Sequence, residues 1–186
     1  GTILSQEFAA RGFQVVCFRG EGSTAAAPTG VKLESFSTND SLAQALRALP
    51  CQPDLIFHAA ALCDFKIVAM EGGDSKEKIS SRSGGITIHL QPATKILPEL
   101  REWFPQSLVV GWKYELDGQR SDAIERGARQ LGETGSDVCV VNGKAYGEGF
   151  GILQRDLSLR HCGDKKSLAL ALMEILAKNE NSTIGR

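Results

Sequence analysis

Asp54-Leu-Ile-Phe-His58-Ala59-Ala60-Ala61-Leu-Cys-Asp64-Phe65 runs a buried-strand pattern into three alanines and stops at a carboxylate. That order suits a nucleotide. Methyl side chains at Ala59, Ala60 and Ala61 allow a ligand to approach the backbone closely, and Asp64, the first polar group past them, can read or orient it. The plainer alternative is that the small residues let a helix pack and Asp64 begins a turn. A second polar stretch, Lys76-Glu-Lys78-Ile-Ser-Ser-Arg82-Ser-Gly-Gly85, mixes cations, hydroxyls and glycines. Such a segment can close over polyphosphate, with lysine as a point charge and glycines turning backbone amides to the anion, or it can be a solvated surface loop. Asn142-Gly143 is either a turn or a binding position, because the dipeptide favours positive φ. Lys113 and Glu115 form a solvated pair or part of a site. His89 and His161 lack a cysteine or acid at ligand spacing, so both read as structural or solvated and no protein-bound transition metal is expected.

The elements that must hold these residues alternate between helical and strand periods, which implies a Rossmann-like α/β fold. Its sheet is mostly parallel, with helices on both faces and a late antiparallel edge strand. Residues 2–10 read as a helix stopped by Gly12, 13–18 as a buried strand, and 20–30 as a glycine-rich loop. A helix over 41–49 is opened by Asn39 or Asp40, and the strand 54–58 follows Pro53. Residues 62–85 have no clear period and are expected to form a long loop. Ile86–Leu90 alternates as a strand, Thr94 caps a helix reaching Phe104, and 107–111 is a buried strand. A helix over 122–131, a strand over 137–141, one alternating strand over 152–161 and an amphipathic helix over 165–178 complete the chain. The tail 179–186 is expected to fray. A doubly wound nucleotide fold normally begins with a strand and a glycine-rich turn, and here the sequence opens at Gly1 into a helix, so that first strand and loop are expected to be lacking from residues 1–178.

At 186 residues one α/β domain would bury about 70% of its unfolded surface. The 21 basic and 22 acidic residues leave no charge excess to attract nucleic acid or an anionic membrane, so any phosphate binding is local. The five cysteines make no CxxC or CxxH spacing and read as reduced core residues. No apolar run has the length of a membrane span and the N-terminus carries no signal pattern, which predicts a cytoplasmic protein.

Strands ending His-x-Ala-Ala also occur in short-chain dehydrogenases. Their Tyr-x-x-x-Lys pair is absent here, since Tyr114 is followed four positions on by Gly118 and Tyr146 by Phe150. Taken in order, the segments instead resemble phosphopantothenoylcysteine synthetase, the ligase domain of the DNA/pantothenate metabolism flavoprotein family. The helix with Glu7-Phe8 and Arg11-Gly12 and the strand ending Phe18-Arg19-Gly20 carry the resemblance first. His58-Ala-Ala-Ala-Leu-Cys-Asp64-Phe65, Lys78-Ile-x-Ser-x-x-Gly-Gly, Val109-Val-Gly-Trp-Lys-x-Glu115 and Asp137-Val-x-Val-Val-Asn142 follow along nearly the whole chain.

The resemblance implies a ligase of coenzyme A synthesis. A nucleoside triphosphate, CTP or ATP, with Mg²⁺ would activate the carboxylate of 4′-phosphopantothenate as an acyl-nucleotidylate, and cysteine would then form the amide. It makes Lys78 the catalytic flap lysine. His58, Ala59, Ala60, Asp64 and Trp112 would hold the nucleotide, with the helix start Thr94, Lys95, Ile96 and Leu97 on the phosphate side. Ala61 and Asn142 would be further contacts. A homodimer is implied, and no flavin in this chain. The family's asparagine loop would lie upstream of Gly1, and Gln130 and Thr134 stand near where bacterial members carry phosphate-binding lysines. Those departures leave the choice of triphosphate open. They also keep two alternatives: a catalytically inactive nucleotide-binding relative, and a dehydrogenase-like NAD(P)-binding protein.

Overall fold

The structure is a computed structural model that describes residues 1–71 and 85–184. Its central sheet has five strands in the order β3 (Leu55–His58), β6 (Leu108–Tyr114), β7 (Val138–Asn142), β8 (Phe150–Gln154) and β9 (Leu159–Cys162). The first three run parallel, β8 pairs antiparallel to β7, and β9 pairs antiparallel to β8, so β9 points the same way as the first three. Successive residues of a strand point to opposite faces, so strands covered on both sides must be apolar at nearly every position. β6 and β7 meet that demand. Val110, Val138, Val140 and Ile152 pack with Leu4 and Phe8 of α1 (Thr2–Ala9) and Leu168 and Leu172 of α5 (Lys165–Ile184). On the other face Val109 meets α2 (Asn39–Arg47) and α3 (Ile96–Trp103), while Cys139, Val141 and Leu153 meet α4 (Arg120–Thr134). This is the Rossmann-like, mostly parallel sheet flanked by helices that the sequence predicts.

Two smaller pairings lie outside that sheet. β1 (Val16–Gly20) and β2 (Lys32–Phe36) form a parallel pair, and β4 (Phe65–Glu71) and β5 (Thr87–Pro92) an antiparallel ribbon. β2 is absent from the sequence reading because Lys32-Leu-Glu-Ser-Phe has too few apolar residues to mark a strand. β4 was read as loop because it follows Asp64 and has no core to set a period, yet its backbone pairs along β5 from Phe65↔Pro92 to Glu71↔Thr87.

Other boundaries shift for local reasons. β1 begins at Val16 and leaves Phe13 exposed. The helix expected to open at Asn39 or Asp40 is capped one residue earlier, where Thr38 accepts from the Ser41 amide and Ser41 reciprocates. Thr94 does not cap α3: its N-cap residue is Lys95, with no side-chain cap. The single strand expected over 152–161 is a hairpin, because Leu157 adopts φ 63° in the turn between β8 and β9. α5 runs through Ile184, six residues past the end expected at Lys178. Of the five cysteines only Cys139 and Cys162 are core residues; Cys17 is half-buried, and Cys51 and Cys63 are exposed on loops. Among the described residues no helix is long and apolar enough to cross a membrane.

His58 closes β3 in a largely desolvated position, and burial lowers its pKa from 6.5 to about 4. The folded state therefore holds the neutral imidazole where an unfolded chain would already be protonated. Stability from this source is complete above about pH 6.5 and is lost as pH falls from there toward 4, by up to about 3 kcal/mol. Urea unfolding between pH 4 and 7.5 should show that slope, and His58→Gln should flatten it; an unchanged slope would assign the loss to other groups.

Candidate functional site

Parallel strands end together, and the loops leaving their C-terminal ends gather at one edge of an open α/β sheet, where ligands enter. Here those ends are His58, opposite Gly111 in the register of β3 and β6, and Asn142, opposite Tyr114 in that of β6 and β7. Ala59, Ala60 and Ala61 leave β3 exposed, as a surface for close approach requires. Asp64 follows them. Its backbone carbonyl accepts from the Ala93 amide at 2.9 Å, which brings the chain before α3 alongside the chain after β3.

That juxtaposition pairs Asp64 with Lys95 through a direct Oδ1–Nζ ion pair. Both side chains are exposed, 70% for Asp64 and 64% for Lys95. The Lys95 hydrogen bond and charge, helped by Lys113, hold the Asp64 carboxyl below its ordinary range. Exposed pairs contribute little stability, so this one is not a fold requirement. Thr94 is tied back: its hydroxyl donates to Asp40 Oδ1 at 2.6 Å, and Lys66 Nζ meets Asp40 Oδ2 at 2.9 Å.

On the neighbouring strand Lys113 Nζ lies 3.3 Å from Glu115 Oε1, and Arg126 of α4 pairs with the other carboxylate oxygen. Glu115 is nearly buried, which by itself raises its pKa, but the hydrogen bonds and charges of Arg126 and Lys113 prevail and keep it low. Asn142 carries the one buried side-chain polar atom without a hydrogen-bond partner among the described residues, its Oδ1. Leaving such an atom unpaired is costly, so it marks a place for a donor. The next residue must be glycine: Gly143 has φ +112°, and a Cβ there would sit 2.8 Å from the Glu115 amide nitrogen. The turn is therefore packed against the β6 exit, with Glu115 N donating to Asn142 O at 2.9 Å and Ala145 N to Glu115 O at 3.1 Å.

Not every expected residue faces this edge. Ile96 is fully buried beneath α3, which leaves only its amide for a ligand. Leu97 packs over Gly111, whose missing Cβ makes room for Leu97 and Gln130. Trp112 is half-buried and meets Phe57 edge to face at 6.1 Å. Thr134 bonds Ser136 and the Gln130 carbonyl at the far end of α4. Lys78 lies outside the described residues. Tyr146 is buried, its hydroxyl 2.8 Å from Arg120 Nη2 and 3.1 Å from His161 Nδ1, so His161 has a structural partner. Missed in sequence reading were Asn39 and Asp40, which it offers only as helix caps.

Two proteins described as coenzyme A biosynthesis bifunctional protein CoaBC are similar to the chain. That of Thermococcus kodakarensis is 27% identical over 154 residues, covering 79% of this chain and 36% of the relative. That of Methanocaldococcus jannaschii is 24% identical over 185 residues, covering 96% and 44%. The chain thus spans less than half the length of these relatives. In fold it is similar to the DNA/pantothenate metabolism flavoprotein from Streptococcus pneumoniae, with TM-score 0.78 and 17% identity over 95% of this chain and 86% of that one. It is also similar to a Cab2 mutant in complex with phosphopantothenate-cysteine, with TM-score 0.71 and 16% identity over 100% and 78%. Residues 1–180 match the profile of the DNA/pantothenate metabolism flavoprotein C-terminal domain, and the chain belongs to that family.

Proposed function

We propose that this chain is the ligase unit of a phosphopantothenate–cysteine ligase. A nucleoside triphosphate, CTP or ATP, is attacked at its α-phosphorus by the 4′-phosphopantothenate carboxylate, forming an acyl-nucleotidylate and expelling pyrophosphate. The cysteine amine then adds to the acyl carbon, loses a proton, and displaces nucleoside monophosphate to leave the amide. The observation that carries this reading is the exposed Asp64–Lys95 pair, which stands past the alanine run at the exit of the parallel strands. A solvent-facing ammonium group there can neutralise a polyphosphate as its charge shifts to the leaving group.

The other residues take roles that their geometry permits. The alanine run admits the nucleotide to the backbone, Asp64 can accept from its hydroxyls, and Asn142, at the exit of β7, is proposed as a further contact. Lys78 is proposed as the flap lysine that completes the cation set. Among the described residues no group of three or more His, Cys, Asp or Glu is placed to hold an ion. Mg²⁺ is proposed to come with the triphosphate, since that ion keeps much of its water and takes few protein ligands. When bound it would offset phosphate charge. A cytoplasmic location belongs to the same proposal.

A homodimer is proposed through the β4–β5 ribbon. Opposed residues share a face, and the pairs Phe65–Pro92, Ile67–Leu90 and Met70–Ile88 make one side apolar. Phe65, Ile67, Ile88 and Leu90 are each at least half exposed. The opposite side carries Lys66, Gln91 and the His89–Glu71 pair, whose atoms are 3.0 Å apart. An apolar stripe of this kind on a surface commonly marks an interface, and a second copy supplies a matching one.

Full-length protein should release pyrophosphate continuously only when triphosphate, Mg²⁺, phosphopantothenate and cysteine are all present, with about one per site at most when cysteine is omitted, and triphosphate binding without turnover would instead identify an inactive relative. Lys95→Met should lower kcat/KM by about a hundredfold, the scale of losing one preorganised donor to developing charge, with unfolding unchanged; Lys78→Gln should behave alike. Wild-type turnover in both would remove lysine from the mechanism. By sedimentation, Ile67→Lys with Leu90→Lys should convert a dimer to a monomer, and a dimer that survives the pair of substitutions must use another face.

A further inference from the structure

The Asp64 and Lys95 side chains extend into solvent, so their separation is set by the backbone beneath them. That backbone is held by a side chain from a different element. Asn39, the first residue of α2 and only 8% exposed, donates from Nδ2 to the Cys63 carbonyl at 2.8 Å and to the Thr94 carbonyl at 2.9 Å. These carbonyls belong to the residues immediately before Asp64 and Lys95. Both acceptors are carbonyl oxygens, so only the NH₂ end of the amide can face them, and both of its hydrogens are used. The Thr38–Ser41 capping box fixes the start of α2, and so the point from which Asn39 reaches. Asp40 reinforces the link from the next position by accepting from Thr94 Oγ1 and Lys66 Nζ.

We infer that Asn39 is the positioning residue of the polyphosphate site: by bridging residues 63 and 94 it fixes the distance between Asp64 and Lys95 and so sets the affinity for the triphosphate. This rests on the proposed nucleotide binding. Asn39 touches no ligand itself. Its action passes through the two loops, and displacements of about 1 Å in a binding constellation can cost about a hundredfold. An isosteric aspartate would keep the shape and remove both donors, setting an acceptor-only carboxylate against two carbonyl oxygens.

The test is the dissociation constant of CTP and of ATP with Mg²⁺, measured by calorimetric titration on folded protein. Asn39→Asp should weaken binding by about tenfold or more. In a Lys95→Met background the same substitution should change it less than about twofold, because the group it positions is gone. Asn39→Ser, with a single donor, should fall between, and it carries the test if the aspartate variant does not fold. A side chain serving stability alone would lower the unfolding midpoint, leave the affinity of the folded fraction unchanged, and act equally in both backgrounds. Either of those last two results overturns the inference while leaving nucleotide binding intact. A wild-type protein that binds neither triphosphate overturns the nucleotide reading, and this inference with it.

Discussion

β6 and β7 are covered by helices on both faces, and this double burial governs where the molecule can do chemistry. Val109 and Val110 point to opposite clusters, as do Val140 and Val141, so neither strand has a face left for a polar functional group. Polar side chains can appear only where the strands stop. Lys113 and Asn142 stand at those exits, with His58 and the alanine run at the end of β3. The sheet's hydrophobic demand thus concentrates polar residues at its ends, without any feature designed for that purpose within the strands.

The two ends resolve the demand differently. At the N-terminal edge, Asp137 Oδ2 accepts from the Val109 amide at 2.8 Å and pairs with Arg101, while Arg155 approaches Oδ1 at 3.2 Å. Arg101 also donates to the carbonyls of Pro105 and Ser107 at 3.0 Å and of Gly135 at 3.2 Å. These polar groups satisfy one another and tie loops together, which is a stability role. At the C-terminal edge Asp64 and Lys95 pair in the open and Asn142 Oδ1 has no partner. A site must retain such unspent capacity, because a ligand can bond only to groups the protein has not fully satisfied.

Sequence legibility follows the same division. The buried strands β3, β6 and β7 and the helices against them were readable because burial imposes a pattern on consecutive residues. β2 and the β4–β5 ribbon were not, since strands lacking a local core carry no such imprint; Phe65-Lys-Ile-Val-Ala-Met-Glu owes its form to pairing with residues twenty or so positions on. Asp64 and Asn142 stand out as candidates from the segments containing them, and Lys95 only through the family resemblance. Asn39 was not, because its bonds reach across 24 and 55 residues and nothing in Thr38-Asn-Asp-Ser41 beyond a helix cap announces them. Trp112 shows the converse: its position was foreseen at the nucleotide, and its ring meets Phe57 edge to face.

Charge completes the account. With 21 basic and 22 acidic residues the chain has no long-range field to draw in a polyphosphate, and at physiological ionic strength a surface charge acts over only about 8 Å. Attraction must come from cations already gathered, and gathered cations repel. Asp64 answers that repulsion: its carboxyl, held below the ordinary range by Lys95 and then by Lys113, remains anionic beside Lys95. Lys113 has its own carboxylate in Glu115, at 3.3 Å, which Arg126 also pairs. On the proposed reading a polyphosphate would replace Asp64 as the anion at Lys95, and exchanging one anion for another around a cation already in place requires little reorganisation.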